Sequence, residues 1–128
     1  MLNPREHVVL IADDDPDVRM LVTMTLEREG FNVIEARDGQ EAIDMISERS
    51  PSLALLDVNM PRLDGVEVAE WLRAEEAATP FIFVTAQTRR AELDRVLATN
   101  PTSYIAKPFR LEKLREQVRA ALVGAQTA

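Results

Sequence analysis

The stretch "SLALLDVNMPRLDG", residues 52–65, decides the fold. Ser52 to Leu56 is a short apolar run with Ser50-Pro51 before it and Met60-Pro61 after it. It reads as a strand fit for burial on both faces. Asp57 closes that strand with a carboxylate, which burial disfavours unless a partner compensates. Asp64-Gly65 then opens a helix, with Asp64 favoured by the helix dipole.

Outward from this stretch the same alternation recurs. Apolar, partly β-branched runs stand at 7–12, 31–36, 52–57, 81–85 and 103–106, and stretches with helical spacing separate them. In the first helix Val18, Leu21, Val22, Thr25 and Leu26 form one stripe, Asp15 caps, Pro16 takes the first position and Gly30 ends it. Asp38-Gly39 opens a second helix, with Ala42, Ile43 and Ile46 inward and Ser50-Pro51 as its stop. A third spans 65–77 and a fourth 88–98, ended by Asn100-Pro101, where Asn tolerates a left-handed cap. Leu111, Leu114, Val118 and Leu122 stripe a fifth, and residues 124–128 read as a flexible tail or the start of a linker. Five strands alternating with five helices make an α/β protein: one parallel sheet with right-handed crossovers on both faces.

Composition narrows the function. The chain of 128 residues suits one domain, here residues 1–123, and its 46% hydrophobic content fits a globular protein. A formal charge of −7 argues against a direct nucleic-acid or anionic-membrane surface. With no cysteine there are no disulfides or thiolate metal sites. The apolar run from Val8 to Ala12 is too short for a signal segment or a membrane span, so a cytoplasmic setting is expected. His7 is the one histidine; it precedes the first strand and is expected at the surface. It excludes a Ser-His-Asp catalyst and makes an internal phosphohistidine donor improbable. Trp71 falls outside the third helix's apolar stripe and is expected to be partly exposed. Met20, Met24 and Met45 read as core filler or surface.

In a doubly wound sheet, ligands sit at the carboxyl ends of the strands. Strand one ends in Asp13, Asp14 and Asp15; strand three in Asp57; strand four in Thr85-Ala86; strand five in Lys107-Pro108. Clustered carboxylates repel, and a hard divalent cation offsets that repulsion. Lys107 offers a point charge to a phosphate oxygen and Thr85 a neutral donor. The four glycines build no phosphate-cradling loop. Bonding the phosphoryl group covalently to a carboxylate would hold it instead. Asp15 itself reads as a helix cap.

"VLIADDDPDVR", "LLDVNMPRLDG", "FVTAQ" and "YIAKPF", in this order and spacing, resemble the receiver domain of bacterial two-component response regulators, chemotaxis regulators included. The likeness covers residues 7–123. It implies a flavodoxin-like (βα)5 fold of strand order 2-1-3-4-5. It also implies that Asp57 accepts a phosphoryl group from a phosphohistidine on a sensor kinase or a histidine phosphotransfer protein. Asp13, Asp14, Asp57 and the Asn59 backbone carbonyl would bind Mg²⁺ or Mn²⁺, with Asp14 the more direct of the first two. Lys107 would contact the phosphoryl group, Thr85 would move to it, Tyr104 would follow Thr85 inward, and the Lys107-Pro108 bond would be cis. The signal would leave through residues 88–113 to a downstream protein or output domain. Such a domain assists its own phosphorylation and dephosphorylation and is otherwise no enzyme.

The chain departs from the family's pattern at "NPTS" (100–103), where many receivers read Gly-Ala-Asp-Asp, and at Ala12. Losing two acids weakens the case for a charge-paired dimer face. Rival readings are a receiver excised from a longer regulator with a C-terminal output domain, a Mg²⁺-dependent aspartyl-phosphate phosphohydrolase, and a phosphate-blind interaction module.

Overall fold

Alternate residues along each central strand face opposite cores, and this period of two organises the molecule. The computed structural model of the chain describes residues 1–86 and 89–127. Its elements are β1 (Val8–Ala12), α1 (Pro16–Arg28), β2 (Asn32–Ala36), α2 (Gly39–Arg49), β3 (Leu53–Leu56), α3 (Gly65–Ala74), β4 (Phe81–Thr85), α4 (Arg90–Ala98), β5 (Ser103–Ala106) and α5 (Leu111–Thr127). The five strands are parallel in the order β2-β1-β3-β4-β5, as expected. Leu10, Ala54, Leu56, Phe81 and Phe83 pack against α2 and α3 through Ala42, Ile46, Val68, Ala69 and Leu72. Val9, Ile11, Leu55, Ile82 and Val84 pack against α1 and α5 through Val22, Leu26, Leu114, Val118 and Leu122. Among the described residues no helix is long and apolar enough to cross a membrane.

Aspartates start three helices. Asp15, Asp38 and Asp64 accept hydrogen bonds from the backbone N–H groups of Asp17, Glu41 and Glu67, filling donors that a helix start leaves open. Asp64 and Glu67 satisfy each other reciprocally. Two of these starts lie against neighbouring backbone. A Cβ on Gly39 would overlap the Leu63 carbonyl oxygen, and one on Gly65 would overlap the Asp57 carbonyl oxygen and lie 2.8 Å from its carbon. Only glycine fits there.

Several local expectations need correction. The third helix stops at Ala74 rather than Ala77, because Glu76 turns left-handed at φ 51°. The N–H groups of Glu76 and Ala77 then donate to the carbonyls of Arg73 and Leu72, closing the helix end. Gly30 does the same for α1 at φ 99°, where the Phe31 N–H donates to the Leu26 carbonyl; Phe31 is thus a buried cap residue ahead of β2. Leu21 is 45% exposed rather than inward, since Val22 and Leu26 take the sheet-facing side of α1. α5 runs on through residues 124–127, since one Gly124 costs a helix only about 1 kcal/mol. His7 is half-buried, its Nδ1 3.0 Å from the Ser52 hydroxyl. Trp71 is partly exposed and packs on the α2–α3 core, as expected. The expected helix start at Thr88, and Gln87 of "FVTAQ", lie outside the described residues, as does Ala128.

Candidate functional site

The sheet delivers its polar residues to one edge. The Asp57 N–H donates to the Ala12 carbonyl at 2.9 Å and the Asp13 N–H to the Ala36 carbonyl at 3.1 Å. Both acids therefore leave their strands with the backbone still held in the ladder. Asp13 is fully buried and Asp57 7% exposed, whereas Asp14 is exposed. One oxygen from each of these three carboxylates lies within 4.8 Å of the others. The Lys107 N–H donates to the Thr85 carbonyl at 3.0 Å, extending the β4–β5 ladder by one rung. Its side chain then turns onto the acids: Nζ donates to Asp13 Oδ2 at 2.6 Å and to Asp57 Oδ2 at 3.1 Å. The Lys107-Pro108 bond is cis.

Burial and charge oppose each other here. Burial raises the Asp13 pKa above the ordinary 3.8, and the nearby Asp57 charge adds to this. The Lys107 ammonium and the Asp15 N–H, which donates to Asp13 Oδ1 at 2.9 Å, pull it down without cancelling the rise. For Lys107, burial pushes the pKa down, but the hydrogen bond to Asp13 and the charge of Asp57 outweigh it, and the net shift is upward. The ammonium thus stands between two carboxylates that would otherwise repel. Three oxygen ligands on the rim of a sheet suit a hard cation that keeps part of its water.

The remaining expected residues are placed less closely. Thr85 is fully buried at the end of β4, and by alternation it faces the same side as Phe83. Tyr104 pairs with Phe83 in the β4–β5 register and packs half-buried on that side; burial raises its phenol's pKa. Asn59 is exposed, two residues past Asp57. Ala86 is exposed beside Thr85 and, with Val18, Leu21, Lys107, Pro108 and Phe109, lines an apolar recess next to the lysine. A separate cleft lies at the opposite end of the strands between His7, Trp71, Pro80 and Leu122, and takes in none of these acids.

Three features escaped the sequence reading. Arg19 Nη1 donates to the Asp13 carbonyl at 2.6 Å. Arg95 on α4 donates to Asp64 at 3.1 Å, tying that helix to the start of α3; this bond to Asp64 raises the Arg95 pKa. Gly65 lets the first turn of α3 lie against Asp57. Arg19 ends the quoted motif and Gly65 follows a capping Asp64, so both were visible, but neither spacing reveals what the backbone approaches.

The chain is similar to known proteins over most of its length. The chain is 40% identical over 114 residues to the response regulator MprA of Mycolicibacterium vanbaalenii, covering 89% of this chain and 49% of that protein. It is 40% identical over 116 residues to the transcriptional regulatory protein TrcR of Mycobacterium tuberculosis, covering 89% and 44%. The chain thus spans about half the length of these curated relatives. A CheY-like receiver domain protein from Methanospirillum hungatei superposes with a TM-score of 0.89 at 26% identity, over 94% of this chain and 97% of that one. The receiver domain of a histidine kinase from Syntrophus aciditrophicus gives 0.87 at 28%, over 92% and 91%. A family model described as the response regulator receiver domain matches residues 9–119, and the chain belongs to that family, the receiver domains of two-component signal transduction.

Proposed function

We propose that Asp57 is the phosphoacceptor of this receiver and that residues 1–123 form the working unit. The observation that carries the reading is the shared lysine: Lys107 Nζ reaches both Asp13 and Asp57, so these two strand-end acids and the Lys107 ammonium form a single electrostatic unit. Asp13, Asp14, Asp57 and the Asn59 carbonyl would hold Mg²⁺ or Mn²⁺, which when bound neutralises charge building up on the phosphoryl oxygens. Asp57 Oδ bonds to phosphorus as the bond from phosphorus to the donor nitrogen breaks, and the electron pair leaves with the nitrogen. Lys107, whose ammonium already lies beside Asp57, contacts a transferred oxygen and offsets its charge. Small Ala86 leaves room for in-line approach. Asp14, Asn59 and Ala86 are exposed at the site and leave water a way in, so the domain assists its own dephosphorylation as well.

The donor is a phosphohistidine on a sensor kinase or a histidine phosphotransfer protein. His7 cannot serve, since it sits at the far end of β1 against Ser52. The dianionic group draws Thr85 toward it, and Tyr104, on the same sheet face, moves into the space left behind. Residues 88–113 then carry the changed surface to a downstream protein or an output domain. Two arrangements of small energy gap suffice, because phosphorylation only shifts their populations. The setting we infer is the cytoplasm.

Incubation with a small acyl phosphate and Mg²⁺ should add one phosphoryl mass to the intact chain, and Asp57→Asn should abolish it. Equal labelling of that variant would refute the assignment. Sustained release of phosphate from small phosphate esters would favour the phosphohydrolase reading instead.

A further inference from the structure

Arg19 projects from α1 back over the end of β1, and its guanidinium is largely enclosed, with 13% of the side chain exposed. Nη1 donates to the Asp13 carbonyl at 2.6 Å, while Nε lies 3.4 Å from Glu35 Oε1 on the neighbouring strand. The Asp13 N–H is itself held by the Ala36 carbonyl. Both sides of Asp13 are therefore tied: its N–H to the end of β2, its C=O to a charged donor from α1. That carbonyl belongs to the peptide leading into Asp14, so the bond fixes the plane from which the Asp14 side chain departs. Asp14 itself is exposed. The planar guanidinium can serve the carbonyl and Glu35 together because its donors are held in a fixed fork.

We propose that Arg19 is a positioning residue for divalent-cation binding: it sets the direction of Asp14 through the Asp13 carbonyl, with Glu35 holding the guanidinium in place. This rests on the reading that Asp13, Asp14 and Asp57 bind the ion. Groups that orient metal ligands typically contribute 10- to 100-fold to affinity without touching the ion. A residue that only packs α1 on the sheet would change the metal-free melting temperature and leave the Mg²⁺ dissociation constant alone.

The test is a titration of the full chain with MgCl₂, followed by melting temperature, since an ion bound only to the folded state raises stability with concentration. Arg19→Gln should weaken Mg²⁺ by about tenfold or more, in the range typical of lost orienting partners. Arg19→Lys, which still places a charged donor near the Asp13 carbonyl, should recover part of that loss. Glu35→Gln keeps an acceptor beside the guanidinium but removes the charge that holds it, and should weaken Mg²⁺ by less than Arg19→Gln does. Should Arg19→Gln not fold, Arg19→Met keeps the packed stem without a donor and carries the same expectation. Parent-like Mg²⁺ affinity in a folded Arg19→Gln or Arg19→Met chain overturns the proposal, and so does failure of both to fold. If Asp14→Ala leaves the parent's Mg²⁺ response unchanged, the ion binds elsewhere, and the underlying site reading fails whatever Arg19 does.

Discussion

Replacing Lys107 by Met keeps the length of the side chain and removes its charge, leaving Asp13 and Asp57 facing each other at the buried edge of the sheet. Breaking a buried ion pair from one side costs about 3–5 kcal/mol. The Lys107 side chain retains 17% exposure, so the lower end of that range applies, about 3 kcal/mol. With an unfolding entropy of about 2.1 cal/mol/K per residue over this chain, that is a fall of about 11 °C in melting temperature. The pH dependence has a definite sign. Asp13 already has a raised pKa with the ammonium in place, and losing Lys107 removes the main influence holding it down. A carboxyl whose folded pKa is raised contributes stability that is full below its unfolded value and is lost as pH rises through the folded value. The variant should therefore recover toward the parent as pH falls from 7 toward the ordinary carboxylate range, because Asp13 takes up a proton. Lys107 in the parent contributes equally across this window: its folded pKa lies above the ordinary 10.5, so its stabilisation is lost only in alkali. The assay is thermal melting followed by circular dichroism in EDTA, parent and variant side by side at pH 7, 6 and 5. Adding Asp13→Asn should restore most of the loss at pH 7. A deficit under about 3 °C at pH 7, less than about 1 kcal/mol, would refute the reasoning, as would a deficit that does not shrink with falling pH.

Gly65→Ala forces a methyl into the Asp57 backbone, which cannot give way as a flexible side chain would. Overpacking of this kind costs about 2–3 kcal/mol, read as a lower melting temperature, and the labelling rate with acyl phosphate should fall because the acceptor is displaced. Thr85→Ala should still take a phosphoryl group at Asp57 by intact mass. In that variant a beryllofluoride mimic should leave the amide chemical shifts of residues 89–113 unmoved, whereas in the parent it should move them; movement confined to the loops around Asp57 in the parent would place the output surface elsewhere.

The strands were legible because β1, β3 and β4 are continuous apolar runs ended by polar residues, a pattern tied to a two-faced parallel sheet. Asp13, Asp57, Thr85 and Lys107 were legible as a set for the same reason: a parallel sheet sends all strand ends to one edge. What Lys107 does without phosphate was not. Strand position shows that an ammonium arrives at the edge, but its bond to Asp13 as well as Asp57 depends on the rotamers of three side chains. The end of α3 was missed because Glu76 takes a left-handed conformation that glycine or asparagine would have advertised. Leu21 looked inward because the apolar stripe of α1 is wider than the face that meets the sheet. The place of Arg19 depends on how α1 docks on β1, which local spacing does not encode.

The strand order has a consequence for how the domain opens. All of β3 and β4 is buried, whereas β5 pairs on one side only and keeps Ser103, Tyr104 and Ala106 at least partly accessible. Local opening draws on segments with few buried contacts, while central strands exchange their amide protons only when the whole domain unfolds. Asp57 therefore stands at the end of a slow-exchanging strand, and Lys107 at the end of one whose amides should exchange early. Brief fraying of β5 would carry the ammonium away from both carboxylates while the carboxylates stay put. In hydrogen exchange the two ends of one salt bridge should report two different free energies of opening, separated by a single strand.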